Sequence, residues 1–179
     1  MIRRPFSAVM ALALLLPPGA AAQDLASGYE QIGTVTITAD GSETTYVVTR
    51  DLSGNSAMAE ARAIMGRMNL NVVGQTVNAE GVPGSPLVQV TVMAQPDGSG
   101  ATFLSAEIFD QGFDMPILMD GEIGQAEMSD FVFDGARLSL KLAGQAQRAK
   151  GYAAGEPTAT DDPPLSVEIA VDTEIPTKQ

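Results

Sequence analysis

The sequence contains no cysteine, no histidine and no tryptophan among its 179 residues. Without histidine there is no Ser-His-Asp or Cys-His nucleophile system and no imidazole acid–base relay. Without cysteine there is no disulfide, no thiolate zinc or iron–sulfur site, and no lipid attachment through an N-terminal cysteine. No Ser-Lys or Tyr-Lys spacing indicates an activated nucleophile. We therefore expect a protein that is not an enzyme.

Positive charge is also scarce, with 10 Lys and Arg against 22 Asp and Glu and a formal net charge of −12. Residues 1–22 contain two arginines and no acid, so a chain that loses them carries −14. An acidic surface repels phosphate backbones and anionic lipids. Nucleic acid is therefore not expected as a partner.

One long apolar run is present, over residues 8–16, and it follows Arg3 and Arg4. The small residues 20–22 complete the pattern of a secretory signal peptide with cleavage after Ala22. Arg3 and Arg4 also match part of the twin-arginine motif, so the general secretory route and the twin-arginine route both stay open. This apolar run is too short to span a bilayer, and no later run approaches the length that a transmembrane helix requires. We expect a signal peptide over 1–22 and a single domain over 23–179, located in the periplasm or outside the cell.

Period-2 alternation dominates the rest of the chain and predicts β-strands. The dipeptide Asp40-Gly41 is typical of a two-residue hairpin turn. The predicted pairs around it are Ala39 with Ser42, Ile37 with Thr44, and Val35 with Tyr46. This register places the apolar side chains of both strands on one face.

A second hairpin is predicted around Asp134-Gly135, with Phe133 opposite Ala136 and Phe131 opposite Leu138. In the strand that follows, Leu138, Leu140 and Leu142 are expected to face the core. A last alternating strand is predicted with Leu165, Val167, Ile169 and Val171 facing inward, paired with a central strand.

Residues 56–68 interrupt the alternation. Alanine and glutamate dominate there, and Met58, Ala61, Met65 and Met68 recur at helical spacing. We expect one amphipathic helix with these methionines on its buried face. The spacing of Met65 and Met68 is also found in exported copper carriers, so copper binding is an alternative. Such sites normally include histidine as well, which this chain lacks.

The strand count, seven to nine, fits an antiparallel β-sandwich or barrel that carries one small helix. Of the two we expect the sandwich, immunoglobulin-like or similar. The segments GTVTITADG and PLSVEIAV resemble those of small exported sandwich proteins, such as the mycobacterial lipoprotein antigens and the immunoglobulin-like periplasmic assembly proteins. The resemblance implies the sandwich fold and no particular function.

Acidic residues cluster in the loops of the second half of the chain. Hard oxygen ligands in loops can hold Ca²⁺ without histidine or cysteine. The candidate ligands are Asp110, Asp114, Asp120 and Asp162. No segment matches an EF-hand loop, and the same residues also shape turns and keep a protein soluble. Calcium is the one cofactor that these acidic loops suggest. Its binding would make the protein a calcium-dependent structural or ligand-binding module of the cell envelope, which is the alternative to the main functional expectation given below.

The segment 113–119 is apolar and bracketed by acids, which suits a ligand-binding or partner-binding lip. Its candidate residues are Phe113, Met115, Ile117 and Met119. The alternative is an ordinary core strand with Pro116 at its edge. The main functional expectation is an exported bacterial binding module, with a protein or a small ligand of the cell envelope as its partner.

A cationic cluster stands out in an acidic chain: Arg137, Lys141, Arg148 and Lys150. A solvated strand face is the expected interpretation. A surface for a negatively charged partner is the alternative.

Overall fold

The structure is a computed structural model that describes residues 24–176. The predicted signal peptide and its cleavage after Ala22 lie outside the described residues. The described chain forms twelve β-strands and one turn of 3₁₀ helix, Tyr152–Ala154. The strands are β1 (Tyr29–Ala39), β2 (Ser42–Asp51), β3 (Ser56–Ala57), β4 (Ala59–Ile64), β5 (Arg67–Val77), β6 (Pro83–Ala94), β7 (Thr102–Phe109), β8 (Ile117–Met119), β9 (Gln125–Phe133), β10 (Arg137–Lys150), β11 (Thr158–Ala159) and β12 (Leu165–Glu174).

The fold is a closed antiparallel barrel of eight strands, in the order β2-β1-β12-β10-β8-β7-β6-β5. Pairing of Val47 in β2 with Gln75 in β5 closes the ring. The predicted sandwich is therefore wrong, because a single sheet curves until its two ends meet. Alternating strands have the same pattern in both architectures, so the closing contact alone distinguishes them.

Gly74 lies where the barrel closes. A Cβ at this position would lie 2.8 Å from Cβ of Tyr46 and 3.0 Å from Cβ of Val35. No larger residue fits without a shift of these neighbours. The missing side chain therefore lets β5 approach β2 closely enough to pair with it.

Four strands lie outside the ring. β3 pairs with β2, β4 with β5, and β9 and β11 pair with β10. β9 occupies the side of β10 that β8 occupies further along the chain. The described residues 24–176 contain no helix with the length and hydrophobicity that a bilayer crossing requires.

The barrel interior holds one apolar core. The predicted inward residues Leu138, Leu140 and Leu142 are each no more than 2% exposed. In β12, which pairs with both β1 and β10, Val167, Ile169 and Val171 are buried and Leu165 is partly buried. The predicted faces of these two strands are confirmed.

The first predicted hairpin is confirmed with its register. Ala39 pairs with Ser42, Ile37 with Thr44 and Val35 with Tyr46. Asp40 and Gly41 have φ values of 47° and 79°, as a two-residue turn of this type requires.

The second hairpin exists, but its predicted register is wrong. Phe133 pairs with Leu138 instead of Ala136. The turn is centred on Gly135 and Ala136, and Oδ1 of Asp134 accepts hydrogen bonds from the backbone N–H groups of Ala136 (2.9 Å) and Arg137 (2.8 Å). Asp134 therefore serves as the acceptor that shapes the turn and not as one of its two central residues.

The predicted helix over residues 56–68 is wrong, and no α-helix occurs in the described part of the chain. The segment forms β3, β4 and the start of β5. Met65 and Gly66, with φ values of 50° and 80°, form the hairpin turn between β4 and β5. Met65, expected on a buried helix face, is fully exposed at the tip. The pairing of β4 with β5 outweighs the helix propensity of its alanines.

Candidate functional site

A cavity of about 300 Å³ opens at one end of the barrel, and we call it the mouth cavity. Its walls come from β1, β2, β7, β8, β10, β12 and the adjoining turns. The lining residues are Ile37, Ala39, Asp40, Ser42, Thr44, Tyr46, Ile108, Asp110, Ile117, Arg148, Leu165 and Val167.

The mouth cavity is continuous with the apolar core. Ile37, Ile108, Ile117 and Val167 line it and are also members of the core cluster. Each is an inward-facing residue near the end of its strand, so its side chain covers the core on one side and meets the cavity on the other. The cavity therefore has an apolar floor.

Arg148 stands on the rim of this cavity. The inward-facing row of β10 runs through Leu142 and Ala146 to Arg148, whose side chain is 14% exposed. Its guanidinium donates hydrogen bonds to both carboxylate oxygens of Asp110, at 2.9 and 2.8 Å, and to the backbone oxygen of Met115, at 2.7 Å. Arg148 therefore holds both ends of the loop 110–116, which connects β7 to β8.

The charges at the rim also affect Tyr46 and Arg148. The pKa of the Tyr46 hydroxyl is raised, first by burial and then by the charge of Asp110. The pKa of Arg148 is raised by its hydrogen bond to Asp110 and by the charges of Asp110 and Asp162, against the opposing effect of burial. At neutral pH the phenol is thus neutral and the guanidinium charged. Such groups can bind and orient a ligand.

The structure separates the predicted partner-binding residues. Ile117 lines the mouth cavity, and Met119, 1% exposed, lies in the core. Phe113 is 58% exposed, with its ring centroid 4.9 Å from that of Phe109. Met115 has an exposed side chain. The role of all four in partner binding stays a prediction.

The predicted calcium ligands also lie apart. Asp110 is bound to Arg148, and Oδ1 of Asp120 accepts hydrogen bonds from the backbone N–H groups of Glu122 and Ile123. Oδ2 of Asp162 accepts a hydrogen bond from Thr160. Asp114 is exposed. Residues 24–176 contain no group of three or more acids placed to hold a metal ion, and calcium binding stays a prediction.

A second buried cluster lies on the outer face of the barrel wall, and we call it the outer cluster. It consists of Leu118, Ile123 and Ala149, with Tyr152 packed against them. The ring of Tyr152 also meets that of Phe109.

Glu107 is buried on the same outer face. It pairs with Leu118 across β7 and β8, is 7% exposed, and its Oε2 has no hydrogen-bond partner. Burial raises the pKa of this carboxyl, Ser105 opposes the shift and the charge of Asp120 adds to it. Glu107 also raises the pKa of Tyr152, after the effect of burial.

A smaller cavity of about 240 Å³ lies at the opposite end of the barrel. Met68, Phe133 and Ile175 line it, with Glu60 as its acidic residue. The mouth cavity differs in that a cation and two acids converge on its rim.

Sequence reasoning missed Asp40, Tyr46 and Arg148 as residues of one site. It placed Arg148 on a solvated strand face with Arg137, Lys141 and Lys150, and those three are indeed exposed. The alternation of β10 predicts that Arg148 faces inward, because Arg148 occupies an even-numbered position, as Leu138 and Leu142 do.

Comparison with protein-family models, with curated proteins and with solved structures finds no match to this chain.

Proposed function

We propose that this chain is an exported, non-enzymatic binding module whose ligand site is the mouth cavity, and that its ligand is a small molecule with an apolar body. The observation that carries the proposal is an apolar cavity, continuous with the barrel core, with polar groups converging on its rim. Small-molecule sites generally combine these two features.

The size of the cavity limits the ligand. At about 300 Å³ it lies at the lower end of the range for small-molecule sites. The packed core below it leaves a shallow cup, which suits the apolar part of a small ligand. Burial of about five methylene groups is worth about 4 kcal/mol, so a six-carbon chain should bind in the millimolar range.

The ion pair between Arg148 and Asp110 gives the cup a defined rim. It fixes the loop 110–116 at both ends and presents polar atoms beside an apolar floor. Pre-organised walls reduce the ordering cost of binding. The predicted lip residues Phe113 and Met115 belong to this loop, so the proposal keeps the segment as part of the binding region.

The proposal is tested by titrating hexanol into the protein while following the methyl NMR signals of its isoleucine, leucine and valine residues. We expect saturable shifts at Ile37, Ile108, Ile117 and Val167. The methyl groups of Leu138, at the opposite end of β10, should stay unchanged.

A pair of variants locates the site. Ala39→Phe places a ring in the mouth cavity, whereas Ala170→Phe makes the same change on the exposed outer face of β12. We expect Ala39→Phe to weaken hexanol binding at least about tenfold, as the loss of most of the buried contact requires. Equal binding by both folded variants, or no saturable shift in the native protein, would overturn the proposal.

A further inference from the structure

The charges around the mouth cavity indicate which ligands it accepts, an inference that rests on the proposed function. Asp40, Asp110 and Arg148 are the charged residues that line the cavity. Asp162 is close enough to Arg148 to raise its pKa. Among the described residues that line the cavity, the acids therefore outnumber the cation.

The cation that lines the cavity, Arg148, is already paired with a carboxylate. Both carboxylate oxygens of Asp110 accept hydrogen bonds from Arg148, and the backbone oxygen of Met115 accepts another. An anionic ligand would have to compete with Asp110 for the guanidinium and would leave that carboxylate without its partner. Separation of a paired charge is costly.

Asp40 differs from Asp110. Within residues 24–176 its carboxylate takes part in no hydrogen bond or ion pair, although Asp40 is one of the residues that line the cavity. Its backbone is held in the hairpin turn, with a φ of 47° and a hydrogen bond from its N–H to the oxygen of Ser166, at 3.5 Å. An uncompensated carboxylate thus stands at a defined place on the rim.

We infer that the mouth cavity selects ligands by charge and binds an apolar molecule with a cationic head group, such as an alkylamine, in preference to one with an anionic head group. The alkyl part occupies the apolar floor formed by Ile37, Ile108 and Ile117. The ammonium group lies at the rim beside Asp40. A negatively charged protein surface adds to this preference at long range.

The experiment compares hexylammonium, hexanol and hexanoate, which share a six-carbon chain and differ in charge. Dissociation constants come from the same methyl NMR titration at neutral pH and low salt. We expect hexylammonium to bind about fivefold more tightly than hexanoate, with hexanol between them, as charge pairs at partly exposed sites allow.

Two matched substitutions assign the preference to Asp40. Asp40→Asn removes the rim charge, and asparagine tolerates the positive φ of this turn. Asp134→Asn makes the same charge change in the other hairpin, at the opposite end of β10. We expect Asp40→Asn to reduce the ratio between hexylammonium and hexanoate to within about twofold, whereas Asp134→Asn leaves it unchanged.

The outcomes separate the inference from the proposed function. Binding of hexanol at the mouth without a preference for hexylammonium overturns the inference alone, as does an Asp40→Asn variant that keeps the full preference. If none of the three compounds binds, both the site and its selectivity are overturned.

Discussion

The barrel wall has a buried apolar cluster on each side, and the two differ in size and in polarity. The inner core gathers side chains from strands all around the ring, and its buried Thr173 donates a hydrogen bond to the oxygen of Ile32. The outer cluster consists of Leu118, Ile123 and Ala149, and Glu107 beside it has a carboxylate oxygen without a partner.

This difference assigns different roles to the two sides. The inner core joins strands that are distant in sequence and so stabilises the barrel as a whole. The outer cluster lies under the segments 120–124 and 151–155, which Ile123 and Tyr152 attach to the wall. The buried carboxyl of Glu107 lies beside this outer cluster. In its ionised form it lowers the free energy of unfolding.

The largest effect is expected from Leu140→Ala, which opens a hole in the inner core at a residue 2% exposed. We expect a loss of about 2–5 kcal/mol in the free energy of unfolding, measured by urea denaturation. Leu118→Ala removes the same atoms from the outer cluster at a residue 1% exposed, and there we expect about 1–3 kcal/mol because the covering segments can relax. A loss at Leu118 as large as that at Leu140 would remove the distinction between the clusters.

A gain of stability is expected from Glu107→Met, which replaces the buried carboxyl by an apolar chain of similar length. Because the folded-state pKa of Glu107 is raised, the native protein loses stability as pH rises through that pKa. The variant lacks this loss, so its advantage should be absent below the pKa of an unfolded glutamate, about 4.3, and reach about 1–3 kcal/mol at neutral pH. Melting temperatures of both proteins across this pH range provide the measurement. An advantage that is constant with pH would show that the ionised carboxyl carries no penalty.

A smaller loss is expected from Arg148→Met, which releases the loop 110–116 from the mouth while keeping the apolar part of the side chain. We expect about 1–2 kcal/mol, together with faster proteolysis within the loop. The matched control is Arg137→Met, since Arg137 pairs with Asp172 at side chains that are 58% and 54% exposed. Solvent screens this exposed pair, so Arg137→Met should unfold at nearly the same urea concentration as the native protein. Equal effects of the two substitutions would argue against Arg148 as the residue that holds the loop.

The smallest effect is expected at Met65, which belongs to neither cluster. Met65→Asn creates an Asn-Gly turn at positive φ and should raise the free energy of unfolding by a few tenths of a kcal/mol, about 0.5 at most. Chemical denaturation against the native protein measures it. A destabilised variant would be inconsistent with the hairpin between β4 and β5, since Asn disfavours the interior of a helix.

Local patterns were sufficient for much of the fold. The hairpin at Asp40-Gly41 was predicted with its register because turn and alternation agree there, and the inward faces of β10 and β12 followed from alternation alone. The hairpin at Asp134 was predicted with the wrong register because an aspartate beside a glycine can be either a central turn residue or the acceptor that precedes the turn. The helix at 56–68 was wrong because alanine and methionine at helical spacing also fit a short hairpin whose pairing comes from the rest of the sheet.

The candidate site was harder to predict from the sequence than the fold was. Ile117 was among the predicted residues, and it does line the mouth cavity. Asp110 was chosen as a calcium ligand, whereas it pairs with Arg148, a residue predicted to face solvent. A sequence pattern describes neighbours along the chain, but Asp110 and Arg148 are brought together by the pairing of β7, β8 and β10.

The sequence by itself determined the buried faces of β1, β2 and β12, the acidic charge, and the chemistry excluded by the absence of histidine and cysteine, because these depend on composition and on a period of two residues. The tertiary structure alone decided that the sheet closes into a barrel, that Arg148 fastens a loop at its mouth, and that Glu107 is enclosed on its outer face. Each of these depends on contacts between residues far apart in the chain, such as Val47 with Gln75, whose energies no local pattern records.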